Sequence, residues 1–308
     1  MKKVISISLG SSERDHQVET EILGEHFIIE RIGTDGDKAR ARQLFTQMDG
    51  EYDAFGLGGI DLYIYSGNRR FTFRDAKKLI RGVHKTPVVD GSGLKNTLER
   101  KVIRFIHQEM GINLAEKRVL MVSGVDRFGM AETFCELGSQ VIFGDLIFAL
   151  GITIPLHSLK ALDRVARIFA PIVTQLPFEL VYPTGNKERK EYEEREKFVR
   201  YYQQAEIIAG DFHLIKKYMP ADLAGKIIIT NTVTTDNLED MRQRGVKMVV
   251  TTTPELNGRS FGTNVIEGVL ISLAGKGPEE MTSADYNRLL NEMNFTPRVI
   301  NFDQKVAG

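Results

Sequence analysis

Short apolar runs bounded by Gly, Asp or Asn alternate along the chain with stretches whose apolar residues recur every three or four positions. In the first third, the runs at 4–9, 27–32, 54–57 and 87–90 are rich in β-branched residues and predict strands. The stretches at 16–23, 37–48, 74–83 and 94–110 predict helices, with Gly24, Gly50, Gly82 and Gly111 where C-caps are expected. The pattern restarts after Gly111-Ile112-Asn113. It then predicts strands at 118–122, 140–143, 206–209, 226–230 and 248–252, and helices at 163–169, 188–204, 214–218, 238–244, 263–273 and 284–293. Alternating β and α units imply mostly parallel sheets covered on both faces. The expectation is an α/β protein of two domains: an N-terminal parallel α/β sheet domain over 1–110, and a C-terminal Rossmann-like doubly wound domain over 111–308. A helical insertion near 156–204 exceeds a minimal crossover, and its polar part, 185–200, reads as a solvated helix with acids and bases at i,i+4 spacing.

A length of 308 residues agrees with two domains at about 150 residues each. Apolar residues make up 42% of the chain and charged ones 27%, which excludes disorder and collagen-like repeats. Forty-one Lys and Arg balance forty-one Asp and Glu, so no net field draws the chain to nucleic acid or an anionic membrane, and a small molecule is the expected partner. The longest apolar stretch, 141–156, is interrupted by Asp145 and falls short of the roughly 20 residues of a membrane span. Cys135 is the single cysteine, so no internal disulfide forms and a reducing, cytoplasmic setting is expected. No metal is expected.

The stretch most informative about chemistry is Val119-Leu120-Met121-Val122-Ser123-Gly124-Val125-Asp126-Arg127-Phe128-Gly129-Met130-Ala131, a strand, a turn and a helix start. Gly124 and Gly129 stand at the first and third glycine positions of a dinucleotide-binding G-x-G-x-x-G, with Asp126 at the second. A carboxylate there repels a pyrophosphate by up to about 4 kcal/mol at 4 Å in a surface-like dielectric, and Arg127 offsets it. Asp145 ends the next strand about 20 residues after Gly124, where an acid accepts from the adenosine ribose and favours NAD over NADP. Gly124, Val125, Asp126, Arg127, Phe128, Gly129 and Asp145 are therefore expected dinucleotide contacts. An ordinary βα turn with a strand-ending acid would give the same residues. Thr252 and Thr253 open a second loop, running through Gly258-Arg259-Ser260 to Thr263, that leaves a strand end and joins the expected contacts.

In the first third, Ser11 and Ser12 follow one strand, and Arg70 follows Gly58-Gly59-Ile60-Asp61 and Tyr63. Hydroxyls and a guanidinium facing one ligand suit a hydroxylated carboxylic acid. The aromatic residues near Arg70 suit a subunit interface equally, which leaves a homo-oligomer open. Asp90 closes the fourth strand, where it orients a hydroxyl or caps the next helix.

The run Asp90-Gly91-Ser92-Gly93-Leu94-Lys95-Asn96-Thr97, followed by a helix and by Lys117-Arg118-Val119-Leu120-Met121-Val122-Ser123-Gly124, resembles the shikimate/quinate dehydrogenase family, including bacterial proteins labelled quinate 5-dehydrogenase. The resemblance implies an NAD-dependent oxidoreductase acting on a cyclic hydroxy acid such as quinate or shikimate. Asp90 falls on that family's catalytic aspartate, and Ser12 with His16 on its carboxylate-binding loop. The family's Asn-Val-Thr-x-Pro-x-Lys segment has no match, because Gly58-Gly59-Ile60-Asp61 stands there, so the catalytic lysine falls to Lys95 or Lys77. The alternatives are an enzyme of another class acting on a phosphorylated or nucleotide-linked metabolite, and a non-catalytic metabolite-binding protein on the same fold.

Overall fold

The computed structural model describes residues 1–66, 69–177, 198–253, 255–256 and 259–302. The chain is α/β and packs as two compact units: Met1–Leu98 with Ile168–Pro183 and Leu256–Phe295, and Glu99–Arg167 with Thr184–Glu255 and Thr296–Gly308.

The first unit is built on a five-stranded sheet in the order β2-β3-β1-β4-β7: β1 Lys2–Ser8, β2 His16–Ile22, β3 Glu25–Gly33, β4 Ala54–Gly58 and β7 Val88–Val89. All are parallel except β2, which runs antiparallel to β3. A separate hairpin pairs β5 Tyr63–Ser66 with β6 Arg69–Thr72. Ile5, Ile7, Phe45, Phe55 and Leu57 are buried between this sheet and helices α1 Lys38–Gln47 and α2 Arg74–Leu79. Helix α3, Ser92–Gln108, leaves the end of β7.

The expected helix at 16–23 is strand β2. His16, Val18, Thr20 and Ile22 alternate with more exposed polar residues, a period of two, and Val18 and Thr20 lie opposite Ile29 and Phe27 of β3. Leu23 and Gly24 both take positive φ, the two-residue turn that a hairpin's twist requires, so Gly24 closes a hairpin and not a helix.

The second unit carries a six-stranded sheet in the order β15-β12-β11-β10-β8-β9: β8 Arg118–Met121, β9 Gln140–Phe143, β10 Ile207–Ala209, β11 Ile227–Thr230, β12 Met248–Thr251 and β15 Arg298–Asn301. Only β15 is antiparallel. Helices α4 Phe128–Glu136, α5 Asp145–Leu150, α6 Leu159–Val173, of which the residues from Ile168 on belong to the first unit, α7 Phe212–Tyr218 and α8 Thr235–Gln243 follow in chain order. A core of Phe148, Phe198, Tyr202, Tyr218 and Ile228 fills one face of this sheet. Of the expected insertion, α6 and a helical stretch at 198–204 are described; most of the polar segment 185–200 lies outside the described residues.

The short pair β13 Glu255–Leu256 and β14 Arg259–Ser260 precedes α9 Thr263–Ala274 and α10 Ser283–Glu292. The expectation that 111–308 forms one domain differs from the packing here. Helix α9 lies on β1, β4 and β7 of the first sheet, and a Cβ added at Gly268 would meet Val4, Ala54 and Val89. An apolar helix suits either sheet, so its position in the chain does not reveal which one it covers.

Candidate functional site

In the first unit, the carboxyl ends of β4 and β7 bring polar groups together. The Asp90 carboxylate, just past β7, accepts four hydrogen bonds. Oδ2 takes the amides of Leu62 (2.6 Å) and Tyr63 (2.9 Å), and Oδ1 takes the amide (3.0 Å) and hydroxyl (2.6 Å) of Ser92. One side chain thus clamps the loop after β4 to the first turn of α3. That loop carries Asp61, and that turn carries Lys95, whose ammonium is 3.8 Å from Asp61 Oδ1 with the lysine side chain only 13% exposed. Lys77 is exposed on α2 and is not part of this group.

Behind Asp90 lies a second carboxyl that the sequence reading missed. Glu267, on α9, is 2% exposed; it accepts from the Gly91 amide (2.7 Å) and from the Tyr286 hydroxyl (2.8 Å). A Cβ at position 93 would lie 2.3 Å from Glu267 Oε1, so any side chain there must displace the Glu267 carboxyl. Burial, reinforced by the neighbouring Asp90 carboxylate, pushes the Glu267 carboxyl up to about 8 against the hydrogen bonds it accepts. The Tyr286 phenol is pushed up as well, by burial and by Glu267. A lone acid inside the otherwise apolar helix Thr263–Ala274 was the available signal, since an ionisable group in such a stretch is held by specific partners.

The expected carboxylate-binding residues have other partners. Ser11 Oγ caps a short 3-10 turn by accepting from the Glu13 amide (3.2 Å), and the Ser12 amide donates to Asp35 (2.8 Å). Arg70 lies 4.4 Å over the Tyr63 ring and donates to both Glu279 oxygens at 2.7 Å, so its guanidinium is held by the protein's own carboxylate.

Asp90→Asn tests the clamp. The amide nitrogen must face one of two pairs of N–H or O–H donors, so a loss of about 2–3 kcal/mol is expected, on the scale of hydrogen bonds to a charged acceptor. Thermal unfolding reads it, and an unchanged midpoint would leave Asp90 without this positioning role.

In the second unit, the glycine loop follows β8 as expected, and Gly129 is buried in α4. The roles of the remaining expected contacts differ. Asp145 turns both carboxylate oxygens onto the loop itself: Oδ2 accepts from the Gly124 amide (3.0 Å) and Oδ1 from the Val125 amide (2.8 Å). These are amides that a pyrophosphate would use. Burial pushes the Asp145 carboxyl up to about 6 in spite of those bonds. A Cβ at Gly124 would meet Phe143, Leu162 and Asp145, so the loop packs closely at that position.

Arg127 points inward, 3% exposed. It is paired with the buried Glu99, with Asp211 (3.3 Å) and with Asp126 (3.9 Å). Burial opposes its charge, but these three carboxylates outweigh burial and hold the guanidinium above its ordinary value. Three acids thus gather around one guanidinium at the loop. Thr252 and Thr253 are buried; the Thr253 hydroxyl lies 3.1 Å from that of Thr232, and the Thr252 amide donates to Thr230. Of the loop after them, Pro254, Asn257 and Gly258 lie outside the described residues. The residues present therefore do not fit a dinucleotide pyrophosphate. Sequence spacing located the loop and its acid, but not the partner that the acid takes.

Among the described residues no group of three or more His, Cys, Asp or Glu is placed to hold a metal ion, and no helix is long and apolar enough to cross a membrane.

Two parallel-sheet units define an α/β protein with a Rossmann-like second sheet. The model of the family described as Domain of unknown function (DUF8754) matches residues 93–302, most of the chain, and the chain belongs to that family. A second model, described as Domain of unknown function (DUF8753), matches residues 3–90. No curated protein sequence matches the chain.

The chain is similar to several solved structures. A sugar ABC transport system substrate-binding protein from Bordetella parapertussis is 12% identical, with a TM-score of 0.37 over 99% of this chain and 91% of that one. The NAD-dependent malic enzyme from Thermotoga maritima is 13% identical, with a TM-score of 0.37 over 95% and 83%. L-tryptophan dehydrogenase from Nostoc punctiforme is 11% identical, with a TM-score of 0.36 over 95% and 78%. At this level of similarity no substrate or reaction passes to this chain.

Proposed function

We propose that the first unit binds a small hydroxylated carboxylic acid at the carboxyl ends of β4 and β7, and that the Lys95–Asp61 pair exchanges a proton with its hydroxyl. The observation that carries this reading is a largely buried lysine 3.8 Å from a carboxylate, with both chain segments clamped by Asp90. A lysine so placed gives a hydroxyl proton somewhere to go, and Asp61 holds the ammonium in position. Resemblance to the shikimate/quinate dehydrogenases supplies the substrate class, a cyclic hydroxy acid such as quinate. Asp90 acts in this reading as a positioning residue, because its oxygens serve main-chain donors and Ser92.

No step is derived through NAD, since the glycine loop does not fit its pyrophosphate. That misfit favours a second reading, a metabolite-binding protein without redox chemistry, on the observation that Asp145 takes the loop amides.

Titration calorimetry on the full chain tests the proposal, with quinate and shikimate, alone and after saturation with NAD. Hydroxy-acid binding weakened about tenfold or more by Lys95→Met supports the first reading. Binding that survives Lys95→Met removes the pair from the site, and absence of binding in every arm sinks the hydroxy-acid class. NAD binding by the unaltered chain would mean that Asp145 gives up its amides, and would restore the dehydrogenase reading in full.

A further inference from the structure

The first unit carries a surface groove of about 590 Å³ that includes none of Asp61, Asp90 or Lys95. Its volume is in the range of small-molecule sites, roughly 300–1,000 Å³. The groove runs beside Thr86, Pro87 and Val88, where the short edge strand β7 begins, to the C-terminal end of α9. Ile80, Val83 and Val88 form an apolar wall; they pack on the core of the unit yet keep part of their surface exposed.

Cationic and donor side chains rim that wall. Lys2 donates one ammonium proton to the Ser272 carbonyl (2.6 Å), which fixes it at the lip and leaves two of its three donors for other acceptors. Lys276 is fixed by Asp285 at 2.7 Å. Lys85 and His84 are exposed members of the lining, and the stem of Lys85 lies over Gly50, where an added Cβ would be 2.9 Å from its Cδ. The one acid in the lining, Asp53, accepts from the Lys3 amide at 2.7 Å.

We propose that this groove binds an organic monoanion, a carboxylate or sulfonate on an apolar frame. The frame lies on Ile80, Val83 and Val88, and the charge meets Lys85, His84 and Lys2. Phosphates are disfavoured for two reasons. The amides of His84, Lys85 and Thr86 are all taken by Asp49, so no amide cradle exists. Helix α9 also ends at the groove, in left-handed Gly275, and presents its carbonyl end, which repels a multiply charged group more than a single charge. Leu62 and Tyr63, whose amides Asp90 holds, also line the groove, but Asp61, Asp90 and Lys95 do not, so the charge-reversal test below reads this site apart from the hydroxy-acid reading.

The probe is 8-anilinonaphthalene-1-sulfonate, titrated against the full chain by fluorescence and by calorimetry. Saturable one-to-one binding that weakens with added salt is expected. Lys85→Glu and His84→Glu, both exposed positions, should each weaken it by about tenfold, while the thermal midpoint stays unchanged. Ile172→Asp, on the exposed face of α6 outside the groove, should leave binding as it is. Inorganic phosphate at equal concentration should not compete. Three outcomes would overturn the proposal: no saturable binding, binding unaffected by both charge reversals, or binding lost with Ile172→Asp.

Discussion

Arg127→Met is expected to destabilise the chain by about 3–5 kcal/mol, the usual cost of leaving one member of a buried ion pair without its partner. Arg127 is 3% exposed and Glu99 1%, so without the guanidinium a carboxylate is stranded where water does not reach it. Among the described residues, Arg127 Nε has no hydrogen-bond partner, so the network is not fully satisfied as it stands. A second exchange therefore makes the test sharp. Glu99→Met added to Arg127→Met should recover most of the loss, because an apolar pair of similar volume often matches a buried ion pair. Urea unfolding of the two single variants and the double variant reads the coupling. A double variant no more stable than Arg127→Met would show that Glu99 is not the group left stranded.

Glu267 makes stability fall as pH rises. Its ordinary value is 4.5 and burial raises it to about 8 in the folded chain. Below 4.5 both states hold the proton. Between there and about 8 the folded state holds it while the unfolded state has lost it, so folding binds protons and each rise in pH favours unfolding. The contribution is complete below the unfolded value and gone above about 8. Its size is on the order of 5 kcal/mol, from about 1.4 kcal/mol per pKa unit. Asp145 adds a slope of the same sign between 3.8 and about 6. Glu267→Gln keeps an acceptor for Tyr286 but cannot ionise, so its stability should decline less than that of the unaltered chain across pH 5–8. Chemical denaturation of both proteins at several pH values measures the difference, and parallel curves would show that Glu267 does not titrate in this window.

Local pattern carried much of the architecture. All nine strands expected from β-branched runs are present within one or two residues of their expected bounds, because those runs are buried on both faces of parallel sheets. The failure at His16–Ile22 is one of period. Seven residues with Val18 and Ile22 four apart suit a helix as well as a strand, and the positive-φ pair Leu23–Gly24 decides for the strand.

The candidate site was legible in its residues and not in their partners. Asp90 and Asp145 lie just past strand ends, and Lys95 and Arg127 at the starts of the helices that follow, where chemistry was expected. A carboxylate at such a place serves a ribose, a hydroxyl or its own main chain equally well as far as spacing shows. Here Asp90 and Asp145 both serve the main chain. Glu99 with Arg127, and Glu267 with Gly91, are contacts across 28 and 176 positions of sequence, which no local pattern reports.

Helix α9 also bears on how the chain matures. The first sheet is assembled from residues 2–89, yet the helix that covers Val4, Ala54 and Val89 is not synthesised until 263–274. The second sheet waits in the same way for β15, at 298–301, to pair with β12. Neither unit is therefore complete until these later segments have been made, and the face of the first sheet that α9 covers must stay exposed while residues 90–262 are synthesised. The first unit is thus built from segments far apart in sequence and cannot be completed by residues 1–98 alone.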